Sequence, residues 1–194
     1  MSGRLAADRE AALALLHEWV QSAALRGHAY AVEASVRAYA VALGEDELKW
    51  GCVALLHDFD WERHPTLEQH PQHGEPVLAG LGYPAWFRRA ILSHADHADV
   101  ARETLLERHL YACDELSGFV HACGLVRPDG IATLEARSVR KKLKQKSFAA
   151  GVNRDDVHRG AEEIGRDLDE HITFVIAALR PISLTIGLRG AASA

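Results

Sequence analysis

Residues 50–60 read WGCVALLHDFD, where the apolar run Cys52–Leu56 ends at a histidine and an aspartate, His57 and Asp58. Asp46 lies ahead of this run and is of the residue type that caps a helix at its amino end. The stretch from Asp46 to His57 is therefore predicted to be a helix. Because the run is so apolar, we expect this helix to lie in the interior of a helical bundle, with the His-Asp pair at its carboxyl end.

Apolar residues elsewhere recur at spacings of three and four, and no stretch alternates as a half-buried strand would. This pattern predicts an all-α protein, a compact bundle of about seven to nine helices. Further helices are expected over about residues 8–25, through Val32 and Leu43 to Gly44, through Val77 to Gly82, and over about 84–93, 103–122, 138–146, 153–164 and 167–181. Pro84 is expected at the first position of its helix.

The composition changes beyond Gly124 and Pro128, where a strongly basic segment follows the longest predicted helix. We expect a helical core over residues 1–125, a C-terminal helical extension packed on that core over 126–182, and a tail over 183–194 that frays.

Composition limits the class of protein. The chain has 194 residues, 48% of them hydrophobic and 25% charged, which is ordinary for one globular domain. A net charge of -5 argues against a protein whose whole surface binds nucleic acid or a membrane. No apolar run approaches ~18 residues, and no signal-peptide core is present at the start. The three cysteines form no CxxC pair, which is typical of reduced thiols in a cytoplasmic protein.

Three further residues, His28, Asp58 and Asp114, combine with His57 into a predicted set of metal ligands. His28 lies four residues before Val32 and Asp114 four residues after Leu110, so both are predicted to face the bundle interior. An inward histidine alone is usually a hydrogen-bonded core residue, but an unpaired buried carboxylate costs several kcal/mol. A cation removes that cost, and imidazole with carboxylate suits a first-row divalent metal. We therefore predict a metal site formed by His28, His57, Asp58 and Asp114.

These residues resemble the HD-domain superfamily of metal-dependent phosphohydrolases. The matching stretches are RGHAYAVEASVRAYAVALG at 26–44, WGCVALLHDFD at 50–60 and LYACDELSGF at 110–119. The resemblance extends from about residue 25 to 122 and implies an HD-domain-like bundle with the metal between helices. The chain also resembles a small family of uncharacterised predicted hydrolases within that superfamily, which shares the basic stretch SVRKKLKQKSFAAGVNRDD at 138–156.

Two more stretches resemble the second-metal ligands of binuclear members: HPQHG, with His70, and RAILSH, with His94. The resemblance implies that Asp58 bridges two ions. His70 follows His57 by only thirteen positions, which is fewer than usual in binuclear members. This leaves His64 or His73 as alternatives to His70, and His97 as an alternative to His94. A solvated, histidine-rich surface loop is the other interpretation.

Other polar residues are candidates for catalysis and substrate binding. Asp60 stands where many members carry glycine, so Asp60 and Glu62, beside the ligand Asp58, are candidates for proton transfer near a leaving group, or else solvent-facing acids. If Val139 and Leu143 face inward, then Arg140, Lys142 and Lys146 flank the buried face and could bind a substrate phosphate. Lys141 and Lys144 would point outward. A solvated cationic face is the alternative.

The leading hypothesis is a metal-dependent phosphohydrolase that acts on a small phosphate mono- or diester, with a nucleotide-like metabolite as partner, through metal-activated water. The cofactor would be one or two divalent ions of iron, manganese, cobalt, nickel or zinc, with magnesium as a further option. The alternatives are an HD-type di-iron oxygenase and a non-catalytic nucleotide-binding HD module. A membrane or nucleic-acid partner is not expected, and the oligomeric state is left open.

Overall fold

The computed structural model describes residues 5–188 and contains nine α-helices over that range. No residue between 5 and 188 is in a β-strand. The helices are α1 (Arg9–Trp19), α2 (Ala23–Leu43), α3 (Glu47–Leu56), α4 (Glu75–Leu81), α5 (Ala85–Leu92), α6 (Leu105–Leu125), α7 (Ala136–Leu143), α8 (Arg154–Glu163) and α9 (Leu168–Leu179). The predicted all-α bundle is confirmed.

Helix starts follow the capping residues in the sequence. Asp46 accepts a hydrogen bond from the backbone N–H of Lys49, and Asn153 and Asp167 cap α8 and α9 in the same way. Thr104 and Glu107 form a reciprocal capping box at the start of α6. Each cap satisfies backbone donors that the first helical turn leaves free, so these starts are specified locally.

Helices α2, α3 and α6 form the centre of the bundle. Helix α2 packs most extensively against α3 and α6, and every residue of the run Cys52–Leu56 is fully buried. One apolar cluster includes Leu55, Phe87 and Leu110, and a second lies among α6 to α9. Asp114 lies between Cys113 of the first cluster and Leu116 of the second. The predicted metal ligands therefore lie where the two clusters meet.

The C-terminal helices pack on the outer side of α2 and α6. Helix α8 contacts α6 closely because Gly160 has no side chain: a Cβ there would lie 2.6 Å from the Cα of Ala112. Helix α9 contacts α2, α6 and α7. The division of the chain at residue 125 stays a prediction, since the contacts describe packing and not separate folding units.

Three predicted details are corrected. The first predicted helix, about 8–25, is interrupted: α1 ends at Trp19, and Ser22 caps α2 by accepting a hydrogen bond from the N–H of Leu25. Pro84 is the N-cap of α5, one position before the predicted one. The part of the predicted tail that is described, 183–188, is not frayed, because Ile186 and Leu188 are buried. Residues 189–194 of that tail lie outside the described residues.

Over residues 5–188, none of the helices combines the length and the apolar character that a membrane crossing requires.

Candidate metal centre

The four residues predicted as ligands of the first metal converge on one point. His28 lies on α2, His57 is the C-cap residue of α3, Asp58 follows it, and Asp114 lies on α6. Nε2 of His28 is 3.0 Å from Oδ1 of Asp114, 3.2 Å from Nε2 of His57 and 3.6 Å from Oδ2 of Asp58. Nε2 of His57 is 3.3 Å from Oδ2 of Asp58 and 3.4 Å from Oδ1 of Asp114. We call these four residues the first ligand group.

These separations are those of atoms that share one ion. Nitrogen and oxygen ligands lie about 2.0–2.2 Å from a zinc-like divalent metal, so ligand atoms at right-angled or tetrahedral positions lie about 2.8–3.6 Å apart. Each histidine nitrogen of the first ligand group lies 3.0–3.6 Å from the other three ligand atoms, and all four atoms lie within 4.8 Å of one another. The donor chemistry and spacing of the first ligand group therefore fit a divalent metal ion.

A second group of three ligands adjoins the first. Oδ1 of Asp58 is 3.2 Å from Nε2 of His70 and 3.2 Å from Nε2 of His94, and the two imidazole nitrogens are 3.3 Å apart. Asp58, His70 and His94 form the second ligand group. Asp58 faces the first group with Oδ2 and the second with Oδ1, so one carboxylate could bridge two ions.

Hydrogen bonds at the other ring nitrogen hold three of the histidines in place. Nδ1 of His57 donates to the carbonyl of Ala54 at 2.7 Å, and Nδ1 of His94 donates to the carbonyl of Ile91. With Nδ1 engaged in this way, Nε2 is the nitrogen directed at the ligand group, where it would bind an ion in exchange for any proton it carries. This arrangement of a backbone acceptor behind a ligating histidine is the usual support of a metal site.

His70 is supported by a carboxylate. Its Nδ1 donates to Oδ1 of Asp60 at 2.8 Å, while Oδ2 of Asp60 accepts from the N–H of Gly74 at 2.9 Å. Asp60 is 1% exposed. A Cβ at position 74 would lie 2.9 Å from Oδ2 of Asp60, so only glycine allows this approach. Both oxygens of Asp60 accept hydrogen bonds within the protein, which suits orienting His70 rather than the predicted proton transfer to a leaving group.

A glycine also makes room for His28. A Cβ on Gly118, one turn after Asp114 on α6, would lie 3.3 Å from Nδ1 of His28. That separation is tighter than ordinary van der Waals contact, so a larger residue would push the imidazole away from Asp114.

The two ligand groups open to solvent on one side. The side chains of His28 and Asp58 are each 24% exposed and that of Asp114 is 18% exposed, whereas His57 is fully buried. His70 and His94 are each 5% exposed. A substrate could therefore approach along the face formed by His28, Asp58 and Asp114, while the opposite side is closed by the core.

The charges within the site oppose the effect of burial. Burial alone would lower the pKa of His57, but the carboxylates of Asp58 and Asp114 outweigh it and raise that pKa well above its ordinary value. Burial would likewise raise the pKa of Asp114, but His57 and His28 lower it. His70 has its pKa raised to about 9, because Asp58 and Asp60 outweigh burial. The carboxylates are therefore ionised, and they attract positive charge to this point.

The structure places the alternative histidines outside both ligand groups. His64 and His73 pack against each other, with ring centroids 4.8 Å apart. Nε2 of His97 donates to the backbone carbonyl of His70. Of the histidines proposed for the second metal, His70 and His94 are therefore the two that belong to its ligand group with Asp58.

Glu62 and the predicted phosphate-binding residues lie elsewhere. Glu62 accepts hydrogen bonds from the backbone N–H groups of Gln21 and Ser22, at 2.7 and 3.0 Å, and so ties its loop to the start of α2. Arg140 faces Asp169, at 3.5 Å, and Lys142 lies over the ring of Phe148, at 4.5 Å. Lys146 is exposed in the turn after α7. A substrate-binding role for Arg140, Lys142 and Lys146 stays a prediction that no contact with the ligand groups supports.

One residue beside the site was not identified from the sequence. Glu115 follows Asp114 on α6, and burial together with the charge of Asp114 raises its pKa to about 7. The available signal was its position next to a predicted ligand. Adjacent side chains on a helix point about 100° apart, so the sequence gave no reason to expect both Asp114 and Glu115 at the site.

A comparison with protein-family models matches residues 25–118 to the HD domain. No curated protein and no solved structure was found to match the chain. The matched segment contains all six residues of the two ligand groups. The chain therefore belongs to the HD-domain superfamily, whose members bind divalent metals and are in general metal-dependent phosphohydrolases, although some are non-catalytic.

Proposed function

From its membership of the HD-domain superfamily, we propose that this protein is a metal-dependent phosphohydrolase that cleaves a small phosphate mono- or diester, and nucleotides are the first compounds to test. The observation that carries the proposal is the pair of ligand groups that share Asp58, each with ligand atoms spaced for one divalent ion. Two ionised, partly buried aspartates destabilise the folded protein unless a cation compensates their charge.

His28, His57, Asp58 and Asp114 would hold one ion, and Asp58, His70 and His94 would hold the other. A divalent metal lowers the pKa of a coordinated water toward neutrality and stabilises negative charge on phosphoryl oxygens. The residues of the chain hold their ligand atoms in place before any ion or substrate arrives, because Ala54, Ile91 and Asp60 fix the imidazole rings.

Exposure of the ligands indicates where the ester would bind. The ester would bind at the partly exposed face formed by His28, Asp58 and Asp114. The buried side, which contains His57 and His94, would exclude bulk water. Glu115 follows Asp114 in the chain, and its pKa, raised to about 7, makes it a further carboxyl to test for proton exchange with a bound group.

A di-iron oxygenase is the second candidate: it shares the metal-ligand observation with the hydrolase, and one further observation favours it. The second ligand group is complete, which a two-iron site requires. Within residues 5–188, no lysine or arginine nitrogen lies within 4.0 Å of a carboxylate oxygen of Asp58 or Asp114, although phosphate-binding sites commonly supply such cations. This function would oxidise an alcohol-bearing substrate with oxygen.

The deciding experiment begins with elemental analysis of protein purified without added metal. The protein is then assayed with p-nitrophenyl phosphate and its diester, with nucleotides, and for oxygen uptake with polyols. The proposal predicts phosphate release with manganese, cobalt, nickel or magnesium. Oxygen consumption by a protein that contains two irons would favour the oxygenase. Nucleotide binding without turnover by the metal-loaded protein would overturn both and favour a non-catalytic module.

A further inference from the structure

A cavity of about 330 Å³ lies between α7 and the C-terminal end of α6, away from the metal centre. Helix α7 contributes Ser138, Lys141 and Lys142, and α6 contributes Cys123 with Arg127 just beyond its end. Cys123 lies nine residues beyond Asp114 on α6, which is about 13 Å along the axis at 1.5 Å per residue. This volume is at the lower end of the range for small-molecule sites.

The side of α7 that faces the cavity is set by its packing. Val139 and Leu143, four residues apart, are buried in the second apolar cluster. Positions 138, 141 and 142 are spaced by three and four residues and therefore lie together on a neighbouring face of the helix. Lys141 is exposed, as predicted, and its side chain also lines the cavity beside Lys142.

Positive charge in the cavity exceeds negative charge. Arg127 is paired with Asp129 at 3.0 Å. Over residues 5–188, neither Lys141 nor Lys142 has a carboxylate oxygen within 4.0 Å of its ammonium group. Two unpaired ammonium groups beside a guanidinium repel one another, and an anion in the cavity would relieve that repulsion.

One of the two lysines is held in position. The ammonium of Lys142 lies 4.5 Å from the ring centroid of Phe148, a cation–π contact that restricts a flexible side chain. The charges of Lys142 and Arg127 both lower the pKa of the Cys123 thiol, against the larger raising effect of burial, so both cations act at the cavity wall. A hydroxyl on Ser138 and an amide on Gln145 add neutral hydrogen-bonding groups.

We propose that this cavity is a second ligand site, which binds a small phosphate-bearing molecule apart from the metal centre. The inference does not depend on the proposed hydrolase activity, since none of its residues belongs to a ligand group. Nucleic acid is a poorer fit, because its binding surfaces combine a long basic groove with a row of exposed aromatic rings. The ligand is therefore expected to be a metabolite whose phosphate group binds in the cavity.

The chain offers a matched control for the test. Lys144 and Lys146 belong to the same basic segment, are exposed, and do not line the cavity. The double variants Lys141→Ala/Lys142→Ala and Lys144→Ala/Lys146→Ala remove equal charge, so they separate a built site from general attraction of anions. Metal content per chain and melting temperature of each variant confirm that it is folded.

Inorganic phosphate is titrated into the full-length, metal-loaded protein, with calorimetry for affinity and backbone amide NMR to locate binding. We expect shifts at residues 138–145 in the wild type, an affinity about tenfold weaker in Lys141→Ala/Lys142→Ala, and a change of less than about twofold in the control. Equal weakening in both double variants, or shifts confined to residues near the metal ligands, would overturn the proposal. Tighter binding of single-stranded RNA than of phosphate, through the same two lysines, would replace the metabolite with nucleic acid.

Discussion

Two fully buried histidines, His57 and His171, illustrate two uses of the same side chain. Both ring nitrogens of His171 are hydrogen-bonded within the protein: Nε2 donates to the carbonyl of Ala112 at 2.9 Å, and Nδ1 accepts from the hydroxyl of Tyr39 at 2.7 Å. His57 uses only Nδ1 in a backbone hydrogen bond and directs Nε2 at two carboxylates. One histidine completes a neutral core network, and the other directs its second nitrogen at the carboxylates of the ligand group.

The opposite pKa shifts have a single physical explanation. Burial lowers the pKa of His171 to about 4, since the weaker effect of its hydrogen bond to Ala112 cannot compensate. Burial acts on His57 as well, but Asp58 and Asp114 reverse the direction. The comparison teaches that burial alone does not identify a metal ligand, and that the neighbouring carboxylates do.

The strongest test of the comparison removes the shared carboxylate. Asp58→Ala takes one ligand atom from each ligand group, so we expect both ions to be lost and turnover to fall by more than about a hundredfold. His57→Ala should also abolish metal retention and turnover. Elemental analysis and phosphate-ester assays measure the effect. Asp155→Ala, an exposed aspartate on α8, is the control and should behave as the wild type; full activity in Asp58→Ala would refute the assignment.

A narrower change separates the two ligand groups. Asp60→Asn replaces the acceptor behind His70 with an amide that cannot accept from both His70 and Gly74. We expect affinity for the ion at the second ligand group to fall about 10- to 100-fold, while the first ion is retained. Metal titration measures both affinities. Glu62→Gln is the control, since Glu62 contacts neither ligand group; equal loss of both ions in Asp60→Asn would contradict a role specific to His70.

The other side of the comparison predicts a loss of stability without a loss of metal. His171→Ala leaves the Tyr39 hydroxyl and the Ala112 carbonyl unpaired in the core, so we expect about 2–4 kcal/mol of destabilisation in denaturant unfolding. The folded variant should still contain wild-type metal per chain. A variant that is as stable as the wild type but metal-free would reverse the roles of the two histidines.

The smallest expected effect is a pH dependence of opposite sign in the two regions of metal-stripped protein. Because the folded pKa of His70 is raised to about 9, its contribution to stability is complete below its unfolded pKa and is lost as pH rises toward 9. Because the folded pKa of His171 is lowered to about 4, stability at that site is lost as pH falls from about 6.5 toward 4.

Denaturant unfolding of the metal-stripped protein from pH 4 to 9 measures both trends. His171→Asn should flatten the acidic side alone, and His70→Asn the alkaline side alone. Stability that rises between pH 7 and 9 in the stripped protein would contradict the account for His70.

Local signals in the sequence were sufficient for much of the fold. Caps such as Asp46, Asn153 and Asp167 predicted helix starts, and the stripe that carries Leu110 predicted that Asp114 faces inward. The break after Trp19 was missed because apolar spacing continues across Val20, while the capping hydrogen bond of Ser22 is visible only in the folded backbone.

The finer parts of the site depend on contacts between distant segments. Asp60 is held beside His70 by a hydrogen bond from the backbone of Gly74, which lies fourteen residues along the chain. No local sequence pattern specifies this contact. Lys141 and Lys142 were correctly expected on a helix with Val139 buried, but which cavity that helix borders depends on how α7 packs against the end of α6. Sequence thus indicated the ligand types, and packing determined their neighbours.

Anomalous X-ray diffraction from crystals of the metal-loaded protein tests the central claim most directly, because it locates each ion. The account predicts two anomalous peaks on either side of the Asp58 carboxylate, one among His28, His57 and Asp114 and the other between His70 and His94. Metal that binds only elsewhere, such as between His64 and His73, or an absence of any peak beside Asp58, would contradict it.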